Sequence, residues 1–73
     1  PSTNIPFDLP QSERVTITVY NTLGEIITTL VDRQMKAGSH RVTFKAADLA
    51  SGIYIYQMRT DNFSTSRKML LIK

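Results

Sequence analysis

Residues 14–20 read RVTITVY. Val15, Ile17 and Val19 alternate with Thr16, Thr18 and Tyr20, a period of two in which β-branched residues dominate. Side chains of an extended chain point to opposite faces in turn, so this spacing gathers the three aliphatic residues on one side of a strand. Branching at Cβ is well accommodated on a pleated, half-buried surface. The stretch therefore predicts a strand with a dry face and a wet face, and the rest of the chain follows the same grammar.

Before it, "NIPFDL" places Ile5, Phe7 and Leu9 on one side of another extended segment. Pro6 and Pro10 lack a backbone donor, which predicts an edge strand. After it, "NTLGE" offers Asn21 to start a turn and Gly24 to adopt a left-handed conformation. "EIITTLV" then completes a hairpin, with Ile26, Thr28 and Leu30 on one face and Ile27, Thr29 and Val31 on the other. Both faces carry apolar residues, so the pattern leaves its inward face open.

"DRQMKAGSH" reads as a connection, or as a seventh strand if its first part pairs locally. Next comes a strand in "HRVTFKA", with Val42 and Phe44 opposed to Arg41, Thr43 and Lys45. "ADLASG" predicts a single helical turn capped by Asp48 and ended by Gly52. "IYIYQMRT" and "FSTSRKMLLIK" are joined by Asp61–Asn62, two residues that tolerate positive φ and suit a tight hairpin. Six to seven short antiparallel strands with regularly recurring turns predict an all-β fold, an immunoglobulin-like β-sandwich.

The bulk composition sets limits on function. Seventy-three residues hold one domain and one core. A chain this short buries about 60% of the surface its unfolded form exposes, and its expected stability is ~3–5 kcal/mol. It has no cysteine, so neither a disulfide nor a thiolate metal site contributes. The longest apolar run, "MLLI", falls far short of the roughly 20 residues of a membrane helix, so no membrane insertion is expected. No basic n-region or apolar h-region marks a signal peptide. The chain opens on proline and not methionine, which reads as a single domain, residues 1–73, cut from a longer protein. The net charge of +3 is scattered rather than gathered into a stripe, which argues against nucleic acid as a partner.

Catalysis finds little support. His40 is the single histidine and abuts a turn, where it reads as solvated. Asp8, Glu13, Glu25, Asp32, Asp48 and Asp61 stand singly in or beside turns and lack the alternating spacing of a calcium loop. Asp48 reads first as a cap. The three glycines lie far apart and form no phosphate loop. No residues suggest a cofactor. Tyr20, Tyr54 and Tyr56 admit two readings, a sugar-stacking platform or core and cross-strand packing, and aromatic residues in strands favour the second.

Five segments in order carry a family resemblance: "PST" at residues 1–3, "YNTLGE", "AGSHRVTF", "LASGIYIYQM" and the closing "KMLLIK". Together they closely resemble the C-terminal sorting domain of proteins exported by the type IX secretion system (the Por secretion system) of Bacteroidetes-type bacteria. They also resemble the immunoglobulin-like domain of the flagellar hook-capping protein. Asn21 stands where the family more often has aspartate, and Phe44 occupies its usual aromatic or apolar position. Leu49, Gly52 and Tyr54 match its "l-x-x-G-x-Y" signature. Lys68, Met69, Leu70, Leu71, Ile72 and Lys73 match its terminal strand.

The resemblance implies a non-catalytic address. Such a domain follows an N-terminal passenger and directs it from the periplasm through an outer-membrane translocon to the cell surface or medium. A sortase-like peptidase commonly removes the domain afterwards. The resemblance also suggests a division of roles. Gly52 and Tyr54 are expected to act through folding, with the Tyr54 ring inward and its hydroxyl paired with backbone at a turn. The apolar, non-alternating terminal strand is the candidate for direct recognition, or for pairing between two copies as a homodimer through an edge, and the Lys68 and Lys73 that bracket it read equally as recognition charges or as edge-protecting ones. The alternative is a structural or carbohydrate-binding accessory module of the same fold.

Overall fold

A computed structural model describes residues 2–72, and among them every regular element is a strand. In chain order these are β1 (Ser2–Leu9), β2 (Glu13–Tyr20), β3 (Ile26–Met35), β4 (Gly38–Lys45), β5 (Gly52–Arg59) and β6 (Ser64–Leu71). They form two antiparallel sheets, one in the order β3-β2-β5-β6 and the other of β1 and β4. Two hairpins, β2–β3 and β5–β6, build the larger sheet, and the remaining connections pass between sheets. The result is an all-β sandwich compatible with the immunoglobulin-like architecture.

β2 lies at its centre, as RVTITVY predicts. Val15, Ile17 and Val19 are fully buried. They meet Ile5, Phe7 and Leu9 from β1 and Phe44 from β4, all buried on the predicted faces. Two contiguous clusters make up the core, one around Ile17, Phe7 and Met58 and the other around Val19, Phe44 and Tyr54. Leu30 and Tyr56 pack against both and join them.

The ambiguous strand β3 resolves through two bulges. Ile17 pairs with Val31 but Thr18 with Thr29, and Val19 pairs with Thr28 but Tyr20 with Ile26. Leu30 and Ile27 are the extra residues at these steps, and both are partly buried against the core. A strand that shifts register twice changes facing as it runs, so apolar residues appear in both parities.

Three local expectations need correction. "DRQM" is neither a connection nor a seventh strand: it prolongs β3 to Met35, pairing with Glu13–Thr16, and Lys36–Ala37 alone link β3 to β4. The "ADLASG" segment forms a turn closed by the Leu49 amide donating to the Ala46 carbonyl at 3.1 Å, with no helical turn for Asp48 to cap. The β5–β6 hairpin turns at Asp61–Asn62 without positive φ. Instead the Thr60 hydroxyl oxygen accepts from the Asn62 and Phe63 amides at 3.2 and 3.1 Å, doing the work that a left-handed residue does elsewhere.

The β2–β3 turn follows its sequence signal. Asn21 Oδ1 accepts from the Leu23 and Glu25 amides, both at 2.9 Å, and Gly24 adopts φ +84°. The side-chain oxygen supplies the local acceptor that starts the turn, as an aspartate carboxylate would. The Asn21 amide adds a donor, 2.8 Å from Glu25 Oε1.

Candidate functional site

The sorting signature and the terminal strand lie side by side. In the β5–β6 register Gly52 stands opposite Leu71, Ile53 opposite Leu70, Tyr54 opposite Met69 and Ile55 opposite Lys68. Residues separated in the chain by the hairpin thus form one continuous patch of sheet.

Gly52 enters β5 with φ +156°, at the extended end of the positive-φ region, and open space surrounds the position of a Cβ. Its constraint is conformational and not steric. Tyr54 is 8% exposed, its ring is in the second core cluster, and its hydroxyl donates to the Ala50 carbonyl at 2.8 Å. The ring anchors β5, and the hydroxyl ties down the segment leading into it. Both residues occupy structural places, and Met58 shares the inward face with Tyr54 as the alternation predicts.

The terminal strand divides by parity. Met69 and Leu71 turn inward and pack against the second cluster. Leu70 and Ile72 turn outward and are 68% and 72% exposed. Ile53, beside Leu70, is 43% exposed, and Ile26 is 66% exposed near Tyr20 and Ile55 on the same outer face. That face is therefore graded. Thr16, Thr18, Gln57 and Ser66 occupy one end, and aliphatic residues crowd the other. Lys68 is exposed on the same face, whereas Lys73 lies outside the described residues.

The remaining chemistry-bearing residues do not converge. Tyr20 is on the outer face while Tyr54 and Tyr56 pack inward, so the three tyrosines form no common platform. His40 is not a solvated turn residue: it lies in β4, half-buried, with its ring stacked on Phe7 at 5.4 Å and Nε2 2.6 Å from the Lys36 carbonyl. Among the described residues no three His, Cys, Asp or Glu side chains gather as metal ligands do.

Glu13 departs most from the sequence reading. It is 3% exposed, with Oε1 accepting from Asn62 Nδ2 at 3.1 Å and Oε2 without a partner among the described residues. The bond links the start of β2 to the β5–β6 turn across 49 residues of chain. Arg67 and Lys68 are the one local basic pair that the sequence shows. Arg67 borders a groove between β1 and β6, and the pair is the sequence-level sign that positive charge concentrates on this strand.

The chain is a two-sheet β-sandwich in which Tyr54 tethers the segment leading into β5 and Leu70 on the outer face of β6 is exposed. The family model described as the secretion system C-terminal sorting domain matches residues 2–73. The chain belongs to this family: it is a C-terminal sorting domain of the type IX secretion system, a signal for export to the cell surface or medium. No curated protein and no solved structure matches the chain significantly. Nothing in these comparisons supports the carbohydrate-binding or structural-accessory alternative. No helix among the described residues is long and apolar enough to cross a membrane.

Proposed function

We propose that the domain does no chemistry of its own and is read, as a folded unit, through its terminal hairpin. It would follow an N-terminal passenger, present itself in the periplasm to the outer-membrane translocon, and meet sortase-like processing machinery after export. Gly52 and Tyr54 serve recognition indirectly by holding β5 in place. Lys68, Leu70 and Ile72 supply the contact surface, Met69 and Leu71 fix the strand that carries them, and Lys73 continues its basic character in sequence.

The observation that carries this reading is the exposure of Leu70 and Ile72 on a terminal strand whose alternate residues are packed. Large aliphatic side chains left bare together mark interaction surfaces. The test is a reporter fused to the chain and followed in a type IX-competent cell. Export of the fusion but not of the reporter alone is expected. Removal of residues 69–73 should abolish export. Undiminished export after that deletion would exclude the terminal strand from recognition.

Pairing of two copies through β6 is the competing use of the same edge. Full antiparallel overlap of Ser64–Leu71 with itself sets Arg67 opposite Lys68 twice, and like charges directly opposed destabilise a ladder.

A further inference from the structure

A sandwich of two open sheets has four free strand edges, and each carries a feature that discourages pairing with a like edge. β1 has Pro6, which cannot donate. β3 is bulged twice and bears Asp32 and Arg33. β4 is bound to β3 by the two-residue link at one end, and the 46–49 turn adjoins it at the other. β4 and β6 each run eight residues without proline or irregular register, and of the two β6 is the one that no short link joins to an edge of the opposite sheet. Its own blunting charges, Arg67 and Lys68, act against a like-charged edge and not against a partner of opposite sign.

Beside this edge lies a groove of about 420 Å³ between β1 and β6. Ile5, Phe7, Tyr56 and Met58 form its apolar wall, and Thr65 and Arg67 form its rim on the β6 side. An added strand would set alternate side chains into this groove and the others onto the outer face beside Lys68 and Leu70. The local charge is of one sign. Strands β5 and β6 carry Arg59, Arg67 and Lys68 and no carboxylate. The Arg67 and Lys68 side chains make no hydrogen bond or ion pair with any described residue. Asp8, on the far lip, is occupied by the Ser39 hydroxyl, which donates to it at 2.6 Å.

We infer that the free edge of β6 is a docking site for an extended segment of about eight residues from another protein, acidic opposite Arg67 and Lys68 and apolar where it enters the groove. The segment becomes the fifth strand of the larger sheet and closes the open side of the sandwich. Backbone hydrogen bonds give it affinity, and Arg67 and Lys68 give it sign. A second copy of this chain brings the wrong charge to the same place. The inference rests on the sorting reading only for where such a partner is met; the surface itself is a property of the isolated domain.

The probes are two labelled ten-residue peptides of alternating valine and threonine, one with two adjacent glutamates at its centre and the other with two adjacent lysines, so that both faces of the added strand are charged opposite Arg67 and Lys68. They are titrated into the 73-residue chain by fluorescence anisotropy. The acidic peptide should bind about tenfold more tightly, the size expected of two cross-strand charge pairs. The double variant Arg67→Glu/Lys68→Glu should reverse the order. Amide exchange should slow in β6 and not in β1 or β3 on binding. Equal affinity for both peptides, binding to neither, or protection confined to another edge would overturn the inference. So would concentration-dependent protection of β6 in the chain alone, since a second copy would then be the occupant. Failure of the reporter to be exported would count against the sorting reading and leave these binding outcomes unaffected.

Discussion

The Tyr54 hydroxyl donates to the Ala50 carbonyl at 2.8 Å while its ring is buried beside Val19 and Phe44. One side chain therefore fixes both the depth of β5 and the course of the segment that leads into it. The family signature centred on Gly52 and Tyr54 is in this light a folding device. Tyr54→Phe keeps the ring and should cost about 1 kcal/mol, the usual net worth of one hydrogen bond. In a domain of this size that lowers Tm by roughly 4–8 °C. Tyr54→Ala empties the site and should cost about 3–5 kcal/mol, enough to unfold the domain. Thermal denaturation followed by circular dichroism separates the two. Unchanged melting of the Phe variant would show that the bond contributes nothing.

Asn62 is the sole hydrogen-bond partner of the buried Glu13 carboxylate among the described residues. Removing it leaves both oxygens unsatisfied, a more serious loss than the bond alone. Asn62→Ala should destabilise by about 1–3 kcal/mol despite lying in an exposed turn. The double variant Glu13→Gln/Asn62→Ala should recover part of that loss, because a neutral amide is less costly to bury than a carboxylate. Urea unfolding of the two variants measures this directly.

Gly24 has φ +84° with nothing within 4 Å of where a Cβ would stand. Gly24→Ala should therefore cost about 1–2 kcal/mol through backbone conformation alone. Gly24→Asn should cost less, since asparagine tolerates the left-handed region. If alanine and asparagine proved equally harmful in chemical denaturation, crowding rather than φ would be the cause.

Leu70 and Leu71 are neighbours with opposite surroundings. Leu71→Ser removes a side chain packed on the core and should cost roughly 1–2 kcal/mol, less than a fully buried leucine. Leu70→Ser alters a residue that is 68% exposed and should change stability by no more than about 0.5 kcal/mol. Export should nevertheless fall in the Leu70 variant. Stability and export measured together distinguish a contact residue from a scaffold residue. A Leu70 variant that is stable and fully exported would remove this side chain from the recognition surface.

Arg14 and Asp32 form an ion pair of 2.6 Å across the β2–β3 ladder. Both side chains are more than half exposed, so solvent screens the attraction. Asp32→Asn should cost at most about 0.5 kcal/mol and so shift Tm by no more than about 2–4 °C, and less in high salt. A large shift that survives added salt would mean the pair is shielded from water.

Alternation carried most of the fold. Val15, Ile17 and Val19, then Ile5, Phe7 and Leu9, and then Tyr54 and Met58 are buried on the faces their spacing predicts, because in a strand the side-chain direction is a local property of the backbone. Asn21 and Gly24 marked the first hairpin for the same reason. Where local rules failed, a distant partner was responsible. β3 extends through "DRQM" because Glu13–Thr16 offer it a ladder, and its mixed faces follow from bulges set by pairing with β2. His40 stacks on Phe7 from another strand, and Glu13 is buried by a turn 49 residues away. The candidate surface divides in the same way. The sequence by itself determined that the terminal strand is apolar and basic. Only the tertiary structure decided which of its residues are spent on the core, which remain bare, and that its edge stays unpaired beside a groove, because those outcomes depend on which strands meet across the sandwich.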